Sequence, residues 1–491
     1  DSVRIDARQL RVKAIGEGGN LGLTQLARLE AAANGIKLNT DAVDNSGGVD
    51  TSDHEVNLKI LMRSLMEEGQ IASMEDRNQL LEDLTDDIAE LVLADNRGQA
   101  QVISMDNLRS KKDISSFIDS IRILSEKGIL DPRTGKMSST EQLENYFAQG
   151  VGMPRPDLCM LLSYTKMHFY KDIVQSDLLD DPFLEEVYYS YFPESFRNQY
   201  DITKIQHPLK REIIGTVLVN RTINQAGVTI LPEITSIVDT TATHIIVAYT
   251  IVDQLFQIGA IRRKIMDELK TSNLAYGYEL KIYLEQVISD MIVWMLFAFK
   301  PDQLKFSMIK EYIAQIPEYK KALENSLDPD DEQALNEAVD AYMGRGISAE
   351  LARDIAQLEL MRSCLEIVSK AKSSDIAMDD AVVLSRAIDS LFHFQILLNR
   401  IMSVDLHSVW VKRHRGVLIK QLQKLKQEVF DTIIARHTEQ VDFDEKISEF
   451  MRVNQVPFKQ FQIEYGQIIQ AEELELSAIA ILLDRIRQLI A

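Results

Sequence analysis

Two asparagines, each set beside a glycine pair, are the residues of this sequence best suited to chemistry. In IGEGGNLGLTQ (residues 15–25) Asn20 follows Gly18-Gly19; in DAVDNSGGVDTSDHE (residues 41–55) Asn45 precedes Gly47-Gly48. A carboxamide carries a donor and an acceptor in one plane, and glycine lets a ligand come close to the main chain. Gly16, Gly18 and Gly22, with Asp41 or Asp44 downstream, also form a G-x-G-x-x-x-G run. It is one residue longer than the dinucleotide fingerprint, and its acid lies slightly beyond the usual place. The same glycines equally read as residues that close turns.

Hydropathy patterning supplies the elements that would position them. Residues 11–16 (RVKAIG) read as a strand ending at the first glycine turn. Residues 23–34 read as a helix with Leu23, Leu26, Ala27 and Ala31 on one face, stopped by Asn34-Gly35. Residues 36–43 alternate Ile36, Leu38, Thr40 and Ala42 against polar neighbours, as a second strand does. A Gly47-Gly48 turn then leads to a helix opened by a Ser52–Glu55 capping box, with Leu58, Leu61, Met62, Leu65 and Met66 as its apolar stripe. Strand–helix–strand–helix is the order of a parallel α/β sheet. Both glycine–asparagine stretches then fall at the carboxyl ends of neighbouring strands, where such sheets bind ligands. There Asn20 and Asn45 would bracket a planar carboxamide such as nicotinamide.

Beyond residue 70 strand signals nearly vanish. Helical spacing governs Leu80, Leu84, Ile88, Leu91 and Val92 within 74–95, the segment opened by Arg155-Pro156, and the apolar stretches beginning at Ala242 and Tyr283. Residues 325–334 (NSLDPDDEQA) lack the glycine and ligand spacing of a calcium loop and read as a helix connector. The fold expected is mainly α-helical, a multi-helix body with an N-terminal α/β remnant of a Rossmann-like domain. Two strands cannot make a stable sheet alone.

The 491 residues, 45% hydrophobic and 26% charged, suit a soluble globular chain, and a net charge of −21 argues against a general nucleic-acid binder. Cys159 and Cys364 are far apart without metal spacing, so free thiols in a reducing compartment are expected. The longest apolar run, residues 291–299, is short of the ~18 residues of a membrane span. A cytoplasmic chain without membrane or nucleic-acid partners follows. It begins at Asp1 rather than methionine, which reads as processing or truncation.

The two motifs together resemble the end of the nucleotide-binding domain of glutamate dehydrogenases. In that family an E-G-A-N-x-x-x-T segment precedes an N-A-G-G-V-x-x-S segment. Glu17, Gly18, Asn20 and Thr24, then Asn45, Gly47, Gly48, Val49 and Ser52, stand at the matching positions, with Gly19 and Ser46 departing from the pattern. The variant spelling, residues 155–193 and HPLKREII at 207–214 resemble the large bacterial NAD-specific class. The resemblance implies that Asn20, Asn45, Gly47 and Gly48 lie against NAD. Val49 would pack on the methylenes of L-glutamate or 2-oxoglutarate, and Ser52 would hydrogen-bond the distal carboxylate. It implies oxidative deamination of L-glutamate. The family's catalytic lysines, aspartate and dinucleotide loop belong to segments before these motifs, so no catalytic residue is expected here. The isolated chain would then be inactive, a C-terminal portion whose first partner is the missing N-terminal part of the same polypeptide, in a homo-oligomer. Residues 1–68 would close the NAD-binding domain, 69–325 form a helical domain and 326–491 a C-terminal helical subdomain.

Two other functions fit the same residues: a helical scaffold or oligomerisation module with a vestigial nucleotide domain, or a dehydrogenase for another amino acid. Ser52 separates the substrates, since a buried hydroxyl favours an acidic one. The eight histidines are scattered without metal spacing, and His54 reads as a capping or packing residue. The basic stretch 407–428 reads as a solvated helix face or a dock for an acidic surface, and the aromatics of 187–196 as core.

Overall fold

The structure is a computed structural model that describes residues 5–202, 205–404, 409–435, 443–470 and 476–490. Strands β1 (Ala14–Ile15) and β2 (Lys37–Leu38) pair in parallel, Ala14 opposite Lys37 and Ile15 opposite Leu38. Between them runs α1 (Gln25–Ala33), its start capped by Thr24, whose Oγ1 accepts from the Ala27 amide at 3.2 Å. Of the expected stripe on α1, Ala31 is buried and Leu23 packs against the same small core, but Leu26 is exposed and Arg28 turns inward.

The second strand is shorter than its alternation suggests. Ile36, Leu38 and Thr40 are buried as predicted, but the chain turns helical at α2 (Asp41–Asp44), where the amides of Val43 and Asp44 bond back to Thr40. The next helix, α3 (Ser46–Glu67), starts six residues before the expected capping box. Gly47 and Gly48 lie in its first turn, not in a turn between elements, and Ser52 is an interior helical residue whose Oγ donates to the Gly48 carbonyl at 3.2 Å. Its apolar stripe is as expected, with Leu58, Leu61, Met62 and Leu65 fully buried.

Helices α4 (Met74–Asp83) and α5 (Thr85–Ser110) replace the single helix read over 74–95; they join at buried Leu84. Helix α6 (Arg155–Val174) opens with Pro156 in its first turn and packs on β2, α1 and α5. Beyond it α7 (Lys210–Ala226) lies on α5 and α6. The long buried stretch from Ala242 is two helices, α8 (Ala242–Leu255) and α9 (Ile258–Leu269), bent by 70° where Gln257 adopts a left-handed conformation (φ 51°). Helices α10 (Leu274–Ala298), α11 (Met308–Ile313) and α12 (Ile316–Ser326) follow. Of the 325–334 segment read as a connector only Leu327 and Asp328 lie between helices: Asp328 caps α13 (Pro329–Met343), whose first turns take up residues 329–334. Helix α12 packs on α14 (Met378–Phe392), and α15 (Val409–Ala435) packs on α14 and α16 (Leu476–Ile490).

The basic stretch is partly inward-facing: Lys412 pairs with Asp119 and Lys426 with Glu366, while Arg413 and Lys420 are exposed; residues 407–408 lie outside the described residues. Tyr188, Phe192 and Phe196 are buried, as the aromatic cluster suggested. Both cysteines are free and buried. Among the described residues no single helix is long and apolar enough to cross a membrane. One apolar cluster runs from Val43 to Leu489, whereas the strands share a separate small core of Ala7, Ala31, Ile36 and Leu38. The architecture is mainly α-helical with a small α/β end.

Candidate functional site

The two glycine–asparagine loops are held together by ions. The Arg28 guanidinium forks onto Glu17, Nε to Oε2 at 2.8 Å and Nη2 to Oε1 at 2.7 Å, and Nη2 also reaches Asp41 Oδ1 at 2.9 Å. The Arg28 and Glu17 side chains are only 7% and 5% exposed. A buried pair persists when its geometry is good and remaining lone pairs are used. Both conditions hold here. Glu17 Oε1 accepts the Leu23 amide, Asp41 Oδ2 accepts the Leu21 amide and Asp44 Oδ2 accepts the Glu17 amide, each at 2.9 Å. The bond from the Leu21 amide, followed by Arg28, holds the Asp41 carboxyl below its ordinary value. Burial works against Arg28, whose pKa is nevertheless raised by Glu17 and then Asp41. Asp41 and Asp44, the two acids weighed for a ribose hydroxyl, thus bind main chain of the first loop instead.

A second link ties this clasp to the helical body. Asn39 donates to Asp44 at 2.8 Å and accepts from Arg155 Nε at 2.9 Å; Arg155 Nη1 donates to Ser104 Oγ at 2.9 Å. From α5, Asn96 donates to the Val43 carbonyl at 2.8 Å and to Ser46 Oγ at 2.9 Å, fixing the entry to α3.

Within this frame the asparagines meet: Asn45 Nδ2 donates to Asn20 Oδ1 at 2.6 Å. One donor and one acceptor of the pair are used, and Asn20 Nδ2 with Asn45 Oδ1 form the complementary set for another carboxamide. Gly48 lies close beneath them: a Cβ there would sit 3.1 Å from Asn45 Oδ1 and press on that amide. At Gly16, Gly18 and Gly19 a Cβ would meet nothing within 4 Å, so the first loop borders open space. Val49 and Ser52 continue outward along the exposed face of α3, joined by Val56; the valines are 66% and 53% exposed. The structure therefore brings Asn20, Asn45, Gly47, Gly48, Val49 and Ser52 to one end of the molecule.

The inward face of α3 carries charges that periodicity did not single out. Burial, then the carboxylates of Asp95 and Asp53, pushes the Asp50 carboxyl up to about 6, against the pull of Lys166. Burial lowers His54 to about 4 and Lys166 to about 8, each opposed by nearby carboxylates. His54 lies in the third turn of α3, beyond the first turn that a helix opened at Ser52 would give it. It stacks on Tyr191 with ring centroids 4.2 Å apart, its Nε2 3.8 Å from Asp50 Oδ1. Packing is its role. Among the described residues no cluster of three or more His, Cys, Asp or Glu side chains could hold a metal.

Arg28, Asn39 and Arg155 escaped sequence reasoning because the links that join them to other elements span 11 to 116 residues, Arg28 to Glu17 and Arg155 to Asn39. The available signal was Arg28 itself, a charge three residues before Ala31 on the inward face of a short helix.

Comparison with known proteins agrees with these motifs. The pattern described as the C-terminal region of glutamate dehydrogenase matches residues 150–488, and that of the catalytic domain of bacterial NAD-glutamate dehydrogenase matches residues 1–106. The chain is 26% identical over 93% of its length to an NAD-specific glutamate dehydrogenase of Halomonas elongata. It is 31% identical over 75% to that of Mycobacterium tuberculosis, and 29% over 84% to that of Pseudomonas aeruginosa. It spans 28%, 22% and 25% of those proteins respectively, about a quarter of their length. A match over residues 150–488 together with the motifs at 17–24 and 45–52 places this chain in the family of large bacterial NAD-specific glutamate dehydrogenases.

Proposed function

We propose that the α/β end forms part of the NAD and substrate site of a polypeptide that oxidatively deaminates L-glutamate to 2-oxoglutarate and ammonia. The observation that carries this is the 2.6 Å contact between Asn20 and Asn45, which leaves one donor and one acceptor for a nicotinamide carboxamide. The open space beside Gly16, Gly18 and Gly19 fits a bulky cofactor at that edge. NAD, when bound, supplies the hydride acceptor. This chain's residues orient: Asn20 and Asn45 fix the carboxamide, Gly47 and Gly48 let the ligand approach the first turn of α3, Val49 lies along the substrate's methylenes, and Ser52 donates to the distal carboxylate. To do so Ser52 exchanges its bond to the Gly48 carbonyl for one to the carboxylate, a charge-assisted bond and the stronger of the two. The proton chemistry is assigned to catalytic lysines and an aspartate outside this sequence, so the isolated chain is expected to be inactive. The division into 1–68, 69–325 and 326–491, and assembly as a homo-oligomer, belong to the same proposal.

Ser52→Val in the full-length polypeptide tests it through NAD reduction with L-glutamate. Loss of a hydrogen bond to a charged group should raise the KM for glutamate about tenfold or more. Unchanged kinetics would remove Ser52 from the substrate. A gain of activity on an apolar amino acid would sharpen its role as the residue that selects an acidic side chain.

A further inference from the structure

Away from the α/β end, the 70° elbow between α8 and α9 opens a cleft of about 500 Å³, completed by α11 and by Phe183. That volume is in the range of small-molecule sites. Two cations line it, Arg263 from α9 and Lys310 from α11. The chain has 75 acidic and 54 basic residues, and cations are therefore usually claimed by carboxylates. Arg263 and Lys310 are not: neither makes an ion pair among the described residues. The cleft's own carboxylate, Asp253, is taken by the neighbouring Arg262, which is buried and also holds Glu285 at 2.6 Å. The charge facing the cleft is thus positive. The amides of Gln254 and Gln257 add neutral donors and acceptors, and Phe183, Ile309 and Ile313 form an apolar wall, Ile313 being 49% exposed.

We propose that this elbow is a binding site for a small organic anion, a carboxylate or a phosphate monoester, held by Arg263 and Lys310 with its apolar part against Phe183, Ile309 and Ile313. The concavity is what separates it from scattered surface charge. Two arms of the cleft are helices that diverge at a residue in left-handed conformation, and both cations are among its lining residues. An apolar wall without the cations would take any hydrophobe, and the cations without the wall would take any counterion. Together they select a molecule with both features. This site is independent of the dehydrogenase proposal, since it is built from Phe183 and residues between 253 and 313 and uses none of the α/β end.

Isothermal titration of the 491-residue chain with phenyl phosphate, phenylacetate and, as neutral control, benzyl alcohol tests it. One-to-one saturable binding of at least one anion is expected, weakened about tenfold by Arg263→Gln or Lys310→Gln and by raised salt. Lys310→Arg should retain it within about threefold. Preference for phenyl phosphate would identify a phosphate ligand, and preference for phenylacetate a carboxylate. Both cations are exposed, so the variants should keep the far-ultraviolet dichroism of the parent. No saturable binding of either anion up to ~10 mM, equal binding of benzyl alcohol, or anion binding untouched in the R263Q/K310Q double variant would overturn the assignment.

Discussion

The glycines of the first loop at the α/β end and two glycines of the helical body, Gly227 and Gly416, have opposite neighbours. A Cβ at Gly16, Gly18 or Gly19 would meet nothing within 4 Å, whereas one at Gly416 would lie 2.1 Å from the Ser236 carbonyl oxygen and one at Gly227 2.3 Å from Asp106 Oδ1. At Gly416 and Gly227 the missing side chain lets elements approach each other, whereas Gly16, Gly18 and Gly19 leave space clear. The means of cohesion differ in the same way. The body has a continuous apolar core, but the strands share four buried apolar residues and hold their loops with Glu17, Arg28 and Asp41. On the proposed reading this end is a ligand edge, which needs main chain and polar groups uncovered and so leaves little apolar surface to bury; charge then does the fastening.

The largest effect should come from cutting that fastening. Arg28→Ala leaves two carboxylates, one of them fully buried, without their counter-ion, a loss of about 3–5 kcal/mol. Because the small core is separate, the loss should be local. Hydrogen exchange should show residues 15–44 unprotected while α6, α7 and α8 keep their protection. Protection of both regions falling together would show the two to be one cooperative unit.

The glycine contrast gives the next effect. Alanine is the better helix former by about 1 kcal/mol, so Gly416→Ala on α15 would be stabilising if packing were neutral. With backbone at 2.1 Å it should instead cost about 3 kcal/mol in urea denaturation. Gly19→Ala, which restores the residue the family pattern carries, should change stability by less than about 0.5 kcal/mol. A Gly19→Ala cost as large as that of Gly416→Ala would mean that the first loop is packed rather than open.

The body was legible in the sequence where a single periodicity ran long enough. Leu58, Leu61, Met62 and Leu65, and Pro156 at the head of α6, all stand as read. The site residues were legible as types, and the structure adds that Asn20 and Asn45 touch. Less legible were the boundaries. Two paired residues per strand are too few for alternation to mark an end, and Gly47-Gly48 reads as a break although Asn45 and Asn96 hold it in the first turn of a helix. The bend at Gln257 has no local signal, since the strained residue is neither glycine nor asparagine. Long-range ion pairs such as Arg28 with Glu17 follow from the fold and cannot be read before it.

The smallest effect, and the most selective for the ground under the site, is in the pH dependence of stability. Asp50 titrates at about 6 in the folded protein against 3.8 ordinarily; the folded chain keeps a proton that the unfolded chain has lost, and stability falls as pH rises between these values. His54 titrates at about 4 against 6.5; the folded chain has shed a proton that the unfolded chain keeps, and stability rises with pH across nearly the same window. One turn apart on α3, and facing Asp53, Asp95, Lys166 and Tyr191, the two oppose each other, so the parent shows little net slope from this pair. Removing either unmasks the other. His54→Gln should lose stability as pH rises from ~4.5 to ~6, and Asp50→Asn should gain it, each by at most about 1.4 kcal/mol per pH unit. Solvent reaching Asp50, whose side chain is 29% exposed, makes its slope the smaller of the two. All other titrating groups are common to both variants, so the difference between their profiles belongs to this pair. Profiles that superimpose would show that the inward face of α3 contributes no pH dependence of its own, and the contrast between the two regions would then end at its outer face.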